Sequence, residues 1–496
     1  MVLDKDLQSI QETRDLIKKA KSAQKEYQGW SQTQVDKLVK AIADACIANA
    51  EPLAKMAEEE TGFGIWQDKV IKNLLGSKYV HDAIKDMKTV GIINDWRKEK
   101  GIIEIAVPLG VVAALIPSTN PTSTAMYKTL ISLKAGNAIV ISPHPNARRC
   151  ILETVRIMRI AAKEAGAPEG LIGCIENATI QATDTLMKHP DTGIILATGG
   201  SAMVKAAYSS GNPALGVGPG NGPAFIERTA DIKMAVKHIM DSKTFDNGTI
   251  CASEQSIVTE QCIKEEVMAE IKRQGGYFLD KAQSEKLEKV IMRSNNTMNP
   301  AIVGKSVQTI ARMAGIQVPE GTRVIVSEQT LVGPKYPYSR EKLCPILAFF
   351  VEQDWESACE KCIAILENEG AGHTMTIHSE NEDIIREFAL KKPVSRLLVN
   401  TAGALGGVGA TTNLAPALTL GCGSVGGSAT SDNVGPQNLF NIRRVAFGAR
   451  ELDDLRAQSK TPSPCCTPQK AAVENDITAA DIEAITREVL KNILNK

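Results

Sequence analysis

The sequence predicts an α/β protein built on doubly wound parallel sheets. Three observations carry that reading. Short apolar runs rich in β-branched residues, such as Val111-Val112-Ala113-Ala114-Leu115-Ile116 and Ala138-Ile139-Val140-Ile141, lack polar alternation, as strands covered on both faces do. Between such runs, apolar residues recur at helical spacing and the links are short. At 496 residues the chain is also longer than one core usually supports, so two or more domains are expected.

Taken in order, the chain reads as helices up to about Gly101. Ser31-Gln32-Thr33-Gln34 has capping-box form, and Val35, Leu38, Val39, Ile42, Cys46 and Ile47 follow on one helical face. A further helix carries Val70, Ile71, Leu74 and Leu75. From Ile102 the texture changes to strands at 102–107 and 111–116. A helix bearing Met126, Leu130, Ile131 and Leu133 comes next, closed by Gly136. Strands at 138–141, 171–175 and 193–197 alternate with further helices, and Thr198-Gly199-Gly200-Ser201 turns from the last strand into a helix. A second α/β stretch is expected from residue 232, with strands near 256–259, 323–327, 347–351 and 396–400. Residues 403–409 and 421–427 are glycine-rich, 442–447 is strand-like, and 461–468 reads as a proline-rich linker before a last short helix.

Composition excludes several functions. Lys+Arg and Asp+Glu are equal at 57 each, and aromatics are 4%, so neither a basic footprint nor a base-stacking platform for nucleic acid is expected. No apolar run approaches the ~20 residues that span a bilayer, so no membrane insertion is expected. The cysteines form no regular framework and no signal peptide opens the chain, which suits the reducing cytoplasm. Cys359 and Cys362 form a CxxC, but it lies inside a helical pattern without a second pair. Both are read as helix core, and no metal site is expected.

The chemistry centres on Phe245-Asp246-Asn247-Gly248-Thr249-Ile250-Cys251-Ala252-Ser253-Glu254-Gln255, where a polar turn presents one thiol just before a strand. A thiol is the best side-chain nucleophile near neutral pH, although an unpaired cysteine also serves as a small buried hydrophobe. Asn120, in Pro117-Ser118-Thr119-Asn120-Pro121, ends a buried strand and starts a helix. There it can donate to a developing oxyanion or cap the helix, and position alone does not separate the two. Thr198-Gly199-Gly200 suits a pyrophosphate at a helix N-terminus, or is an ordinary strand-to-helix turn. Gly216-Val217-Gly218-Pro219-Gly220-Asn221-Gly222 does not match GxGxxG and is read as a loop.

Those segments, in that order and followed by Glu341-Lys342-Leu343-Cys344-Pro345, resemble the aldehyde dehydrogenase superfamily. The likeness is strongest to its CoA-acylating branch and covers roughly residues 5–450. The resemblance implies the aldehyde dehydrogenase fold: a Rossmann-like cofactor domain (1–231), an α/β catalytic domain (232–425) and an oligomerisation hairpin closed by a strand in 426–450. A homo-oligomer, dimer or tetramer, goes with it. By the same resemblance Cys251 is the nucleophile, and Asn120 holds the oxyanion together with the Cys251 N–H. Thr198, Gly199 and Gly200 meet the diphosphate of NAD, and Glu341 holds the nicotinamide ribose. A lysine that binds the adenine ribose in many members is absent, with Ser142 near its place. His373 resembles a histidine of the acylating branch, either a base for the CoA thiol or a structural hydrogen-bonding residue.

One departure sets the expected reaction. Hydrolytic members carry a glutamate in a Glu-Leu-Gly-Gly segment that activates water, and the matching segment here, 216–221, holds no carboxylate. A thioester without a poised base survives for a thiol to take, so coenzyme A is the expected acceptor. The expected reaction converts acetaldehyde or propanal to its acyl-CoA with NAD. The alternatives are the reverse reduction of an acyl-CoA or a non-catalytic scaffold on the same fold.

The tail carries a separate message. Thr478 is a good N-cap, Ile477 and Ile482 are placed for a hydrophobic staple, and Ile482, Ile485, Val489 and Ile493 fall on one helical face. A helix at 476–496 on a flexible linker (451–475) resembles the encapsulation peptides of bacterial microcompartment enzymes. It implies shell proteins or co-cargo as partners and a place inside a microcompartment in the cytoplasm.

Overall fold

The run Val111–Ile116 is buried at every position and forms the central strand of a five-stranded sheet in the computed structural model, which describes residues 4–293, 295, 297–459 and 479–494. The sheet order is Ile172–Cys174, Ala138–Pro143, Val111–Ile116, Thr192–Thr198, Ala214–Val217, and every pair is parallel. In chain order that is 3-2-1-4-5, the doubly wound arrangement whose switch point lies beside the first strand. Helix Pro121–Lys134 is buried along its whole length. Its Lys128 is tolerated there because Nζ donates to the carbonyls of Leu115 at 2.7 Å and Leu196 at 2.8 Å.

A second, seven-stranded sheet runs Gly276–Phe278, Val324–Glu328, Ile346–Glu352, Ser256–Glu260, Pro223–Ile226, Gly372–His378, Val394–Val399, again parallel throughout. Its strands Pro223–Ile226, Ser256–Glu260 and Gly372–His378 are wholly buried. The loop 218–222 is the crossover between the sheets. The second sheet thus starts at Pro223 and not near 232, because Pro223–Ile226 pairs with Ser256–Glu260 on one side and Gly372–His378 on the other. The α/β class is as expected. The capping box at Ser31 and Gln34 forms, Gly136 ends its helix at φ 79°, and Cys359 and Cys362 are buried in helix Trp355–Asn368.

Two stretches differ from expectation. The N-terminal region is not helical throughout: Gly91–Trp96 is a strand, pairing with Ile102–Pro108, which in turn pairs with Phe440–Ala446. Ile102–Pro108 therefore belongs to this small sheet and not to the buried parallel one, and its partly exposed residues suit a sheet with a wet face. Residues 452–459, expected to be linker, form helix Leu452–Ser459, with Asp453 and Asp454 in the first turn and Arg456 in the last complementing its dipole.

The chain divides into two units, one of residues 4–95 with 103–445 and one of 96–102 with 446–494 as far as described. The second contains the helix Arg97–Lys100, the bond from Phe447 N–H to Gly101 O at 2.9 Å, and helices Leu452–Ser459 and Ala479–Leu494. In the last helix Ile482, Ile485 and Val489 are exposed, at 58, 61 and 51%. Ile477, Thr478 and the side chain of Ile493 lie outside the described residues. Among the described residues no helix is long and apolar enough to cross a membrane, and no cluster of His, Cys, Asp and Glu could hold a metal.

Candidate active site

The candidate residues gather where the carboxyl ends of the first sheet meet the amino ends of the second. Asn120 follows and Thr198 ends a strand of the first, while Cys251, Glu341 and His373 precede or open strands of the second.

The cysteine loop is shaped by backbone strain. Asp246, Asn247 and Gly248 stand consecutively in the left-handed region, at φ 49°, 51° and 78°. Asp and Asn tolerate that region better than other side chains, yet each still costs about 1–3 kcal/mol and must be held from outside. The holding bonds are visible. Asp246 N–H donates to Asp68 Oδ2 at 2.7 Å, Asp246 Oδ1 accepts from Ile65 N–H at 2.7 Å, and Asn247 Nδ2 donates to Gly304 O at 3.0 Å. Gly64 permits this approach, since a Cβ there would lie 1.8 Å from Asp246 Oδ1.

Beneath the loop lies a buried charge cluster. Lys69 Nζ donates to Asp246 Oδ2 at 2.9 Å, and Lys72 Nζ bonds the same oxygen. Burial would raise the Asp246 carboxyl, but the two ammonium groups hold it below its ordinary value. Burial pulls Lys72 down to about 8 against the attraction of Asp246. Lys72 also donates to Asn120 Oδ1 at 2.6 Å and to Thr249 O and Oγ1 at 3.1 and 3.0 Å. Asn120 occupies the N-cap of helix Pro121–Lys134, but its side chain makes no capping bond, so the capping alternative falls.

Cys251 is half-buried, and its thiol is pushed up to about 12, first by burial and then by Glu341, against the opposing pull of Arg396. The loop 218–222 lies directly on it: a Cβ at Gly220 would fall 1.8 Å from Cys251 O. Gly220 N–H donates to Glu341 Oε1 at 2.9 Å, so one residue spaces the glutamate and the cysteine. Burial raises Glu341 to about 8, with Glu369 adding to the shift. The 341–344 segment is tied to the cysteine loop through Gln255, whose Oε1 accepts from Lys243 Nζ at 2.8 Å and Lys342 N–H at 2.9 Å.

His373 is fully buried. Its Nδ1 is 3.0 Å from Thr374 Oγ1, Nε2 has no partner among the described residues, and burial with the nearby Arg396 depresses it to about 3. Thr198 Oγ1 pairs with Thr419 Oγ1 at 3.2 Å. Gly200 is the N-cap of helix Ser201–Tyr208 without a side-chain cap, and a Cβ there would meet nothing within 4 Å. Such an uncapped, open helix start after a parallel strand fits a diphosphate. Ser142 is buried, its Oγ 2.8 Å from Thr183 Oγ1.

Sequence reasoning assigned nothing to Lys69, Lys72 or Glu254. Glu254 is buried and raised to about 7 by that burial; Oε1 accepts from Gly403 N–H at 2.7 Å, while Oε2 has no partner among the described residues. The one available signal was the set of charges beside Cys251 in a stretch otherwise suited to burial. Nothing in the helical pattern of 66–74 distinguishes Lys69 and Lys72 from solvated lysines.

The model of the aldehyde dehydrogenase family matches residues 6–342. The bifunctional aldehyde-alcohol dehydrogenase of Escherichia coli K12 is 45% identical over 449 residues, 90% of this chain and 50% of its own. This chain thus spans about half the length of that relative. A probable aldehyde dehydrogenase from Listeria monocytogenes has a solved structure with 67% identity and a TM-score of 0.91, covering 92% of this chain and 100% of that one. An acetylating aldehyde dehydrogenase from Geobacillus thermoglucosidasius has 53% identity and a TM-score of 0.89, covering 91% and 99%. The chain belongs to the aldehyde dehydrogenase family.

Proposed function

We propose that this protein is a CoA-acylating aldehyde dehydrogenase that converts a short aliphatic aldehyde, acetaldehyde or propanal, to its acyl-CoA with NAD. The observation that carries this reading is the fit of loop 218–222 onto Cys251 through Gly220, with no carboxylate from that loop beside the sulfur. Glu341, whose charge reaches Cys251, is protonated below about pH 8 and is then no base for water.

The Cys251 thiol loses its proton to solvent, its sulfur adds to the aldehyde carbon, and the carbonyl oxygen takes the negative charge, met by Asn120 Nδ2 and the Cys251 N–H. NAD, when bound, would supply the hydride acceptor for that carbon; Thr198, Gly199 and Gly200 would hold its diphosphate and Glu341 its ribose, with Ser142 toward its adenine end. Loss of the hydride leaves an acyl thioester on Cys251. Coenzyme A then adds through its sulfur, and the Cys251–carbon bond breaks to release acyl-CoA. His373 is the candidate acceptor for the CoA thiol proton, with Nε2 unpartnered among the described residues, although its depression to about 3 makes it a weak base in this buried setting. The same steps reversed reduce an acyl-CoA.

The five-stranded half, up to about residue 222, is the cofactor domain in this reading, and the seven-stranded half is the catalytic one. The sheet of Gly91–Trp96, Ile102–Pro108 and Phe440–Ala446, which exposes Ile92, Ile442 and Val445, makes the homo-oligomer contact. The apolar face of Ala479–Leu494 addresses the enzyme to a microcompartment in the cytoplasm, since an exposed apolar stripe marks a partner site.

The test is turnover of an aldehyde series with NAD, with and without CoA. Acyl-CoA forms steadily when CoA is present. Without it, one equivalent of NADH per site appears, followed by slow turnover. Sustained carboxylic acid production without CoA overturns the proposal.

A further inference from the structure

We infer that Lys72 is a positioning residue for the reaction: its ammonium fixes the side-chain amide of Asn120 so that Nδ2, and not Oδ1, is left to meet the reacting carbonyl oxygen. The inference rests on the proposed reading of Asn120 as the oxyanion donor.

The two ends of a carboxamide are nearly the same shape, and its orientation is set by its partners. An ammonium has three donors and no acceptor, so a flipped Asn120 would set N–H against N–H. With Lys72 Nζ 2.6 Å from Oδ1, only one orientation satisfies both groups. The amide has no competing duty at the helix start, and Nδ2 donates only a long 3.3 Å bond to Thr119 Oγ1, which uses one of its two hydrogens.

The ammonium is itself fixed. Lys72 is 2% exposed, and it shares the Asp246 carboxylate with Lys69. Its bonds to Thr249 O and Oγ1 reach the residue two before Cys251, so one nitrogen sets the amide and the cysteine loop in register. An apolar side chain of similar size, such as methionine, could fill the space, but it could not orient the amide.

A double-mutant cycle tests this, using kcat/KM for acyl-CoA formation, KM for NAD and the melting temperature. Asn120→Ala lowers kcat/KM by about 10²–10³-fold, the usual loss of one oxyanion donor. Lys72→Met lowers it by roughly 10–10²-fold, the cost of a misplaced group, without raising KM for NAD. In the Asn120→Ala background, Lys72→Met lowers it by less than about threefold further, because coupled residues are not additive. Lys72→Gln, which keeps an N–H donor for Asp246, is carried through the same cycle where the methionine variant does not fold. A full-sized loss from Lys72 replacement in both backgrounds overturns the inference and leaves the functional reading standing. A wild-type rate in Asn120→Ala overturns both.

Discussion

The seam between the two parallel sheets and the helix Ala479–Leu494 handle unfavourable groups in opposite ways. The seam buries ionisable groups and ties them to partners: Lys69 and Lys72 share Asp246, Glu341 accepts from Gly220 N–H, and Glu254 accepts from Gly403 N–H. The helix exposes oil, with Ile482, Ile485, Val489 and Leu490 all more than half exposed. Satisfied polar groups fix geometry within one chain, whereas an unsatisfied apolar face gains free energy only by meeting another surface. The difference teaches where to expect chemistry and where to expect recognition, and it can be broken by mutation on either side.

The largest effect comes from the seam's centre. Cys251→Ala abolishes acyl-CoA formation while NAD binding, followed by fluorescence, persists; a variant retaining most of the rate would end the thioester mechanism. Gly220→Ala comes next. Its methyl would sit 1.8 Å from Cys251 O, so the loop must shift, and a displacement near 1 Å costs about 10²-fold in rate. A rate close to wild type there would mean that the close approach does not position Cys251.

A smaller effect separates the charges. Above about pH 8 Glu341 is ionised and its charge opposes the Cys251 thiolate; below that it is neutral and opposes little. Glu341→Gln therefore speeds alkylation of Cys251 by iodoacetamide several-fold at pH 9 and hardly at pH 6, in line with ordinary charge–charge shifts. Equal rates at both values would show that burial alone raises the thiol. The smallest expected kinetic effect lies in the tail. Removing residues 459–496, or making Ile485→Asp, leaves kcat and KM for the aldehyde at wild-type values. Each change excludes the enzyme from a co-expressed shell, because one unpaired charge is costly to bury. Lost activity, or undiminished entry into shells, would reassign the helix to the fold.

Much of this was legible in the residues. The wholly apolar runs 111–116 and 138–141 announced buried parallel strands, and the unbroken helical spacing of 35–47 announced its helix. Gly91–Trp96 was missed because only half of a pleated, half-exposed strand is apolar, and its sheet is completed by Phe440–Ala446, which pairs with Ile102–Pro108 from hundreds of residues away. Leu452–Ser459 was missed because eight residues with little burial give a weak period. At the site, Cys251 and Asn120 stand in recognisable segments. Lys72 does not, because its meaning depends on partners at 120, 246 and 249 that no local pattern connects.

Those long separations bear on how the enzyme comes to exist. Lys69 and Asp246 are 177 positions apart, Asn221 and Ile365 are 144, and Arg396 reaches back to His373 and forward to Gly421. Closing loops of that length precedes any reward from the contacts, so such contacts form late. On the ribosome, Lys69 and Lys72 emerge as ordinary hydrated lysines and stay so until Asp246 is synthesised and both sheets have docked. From its synthesis until that docking, Cys251 is a solvated thiol of ordinary acidity, and the nascent chain is more open to oxidation there than the finished protein.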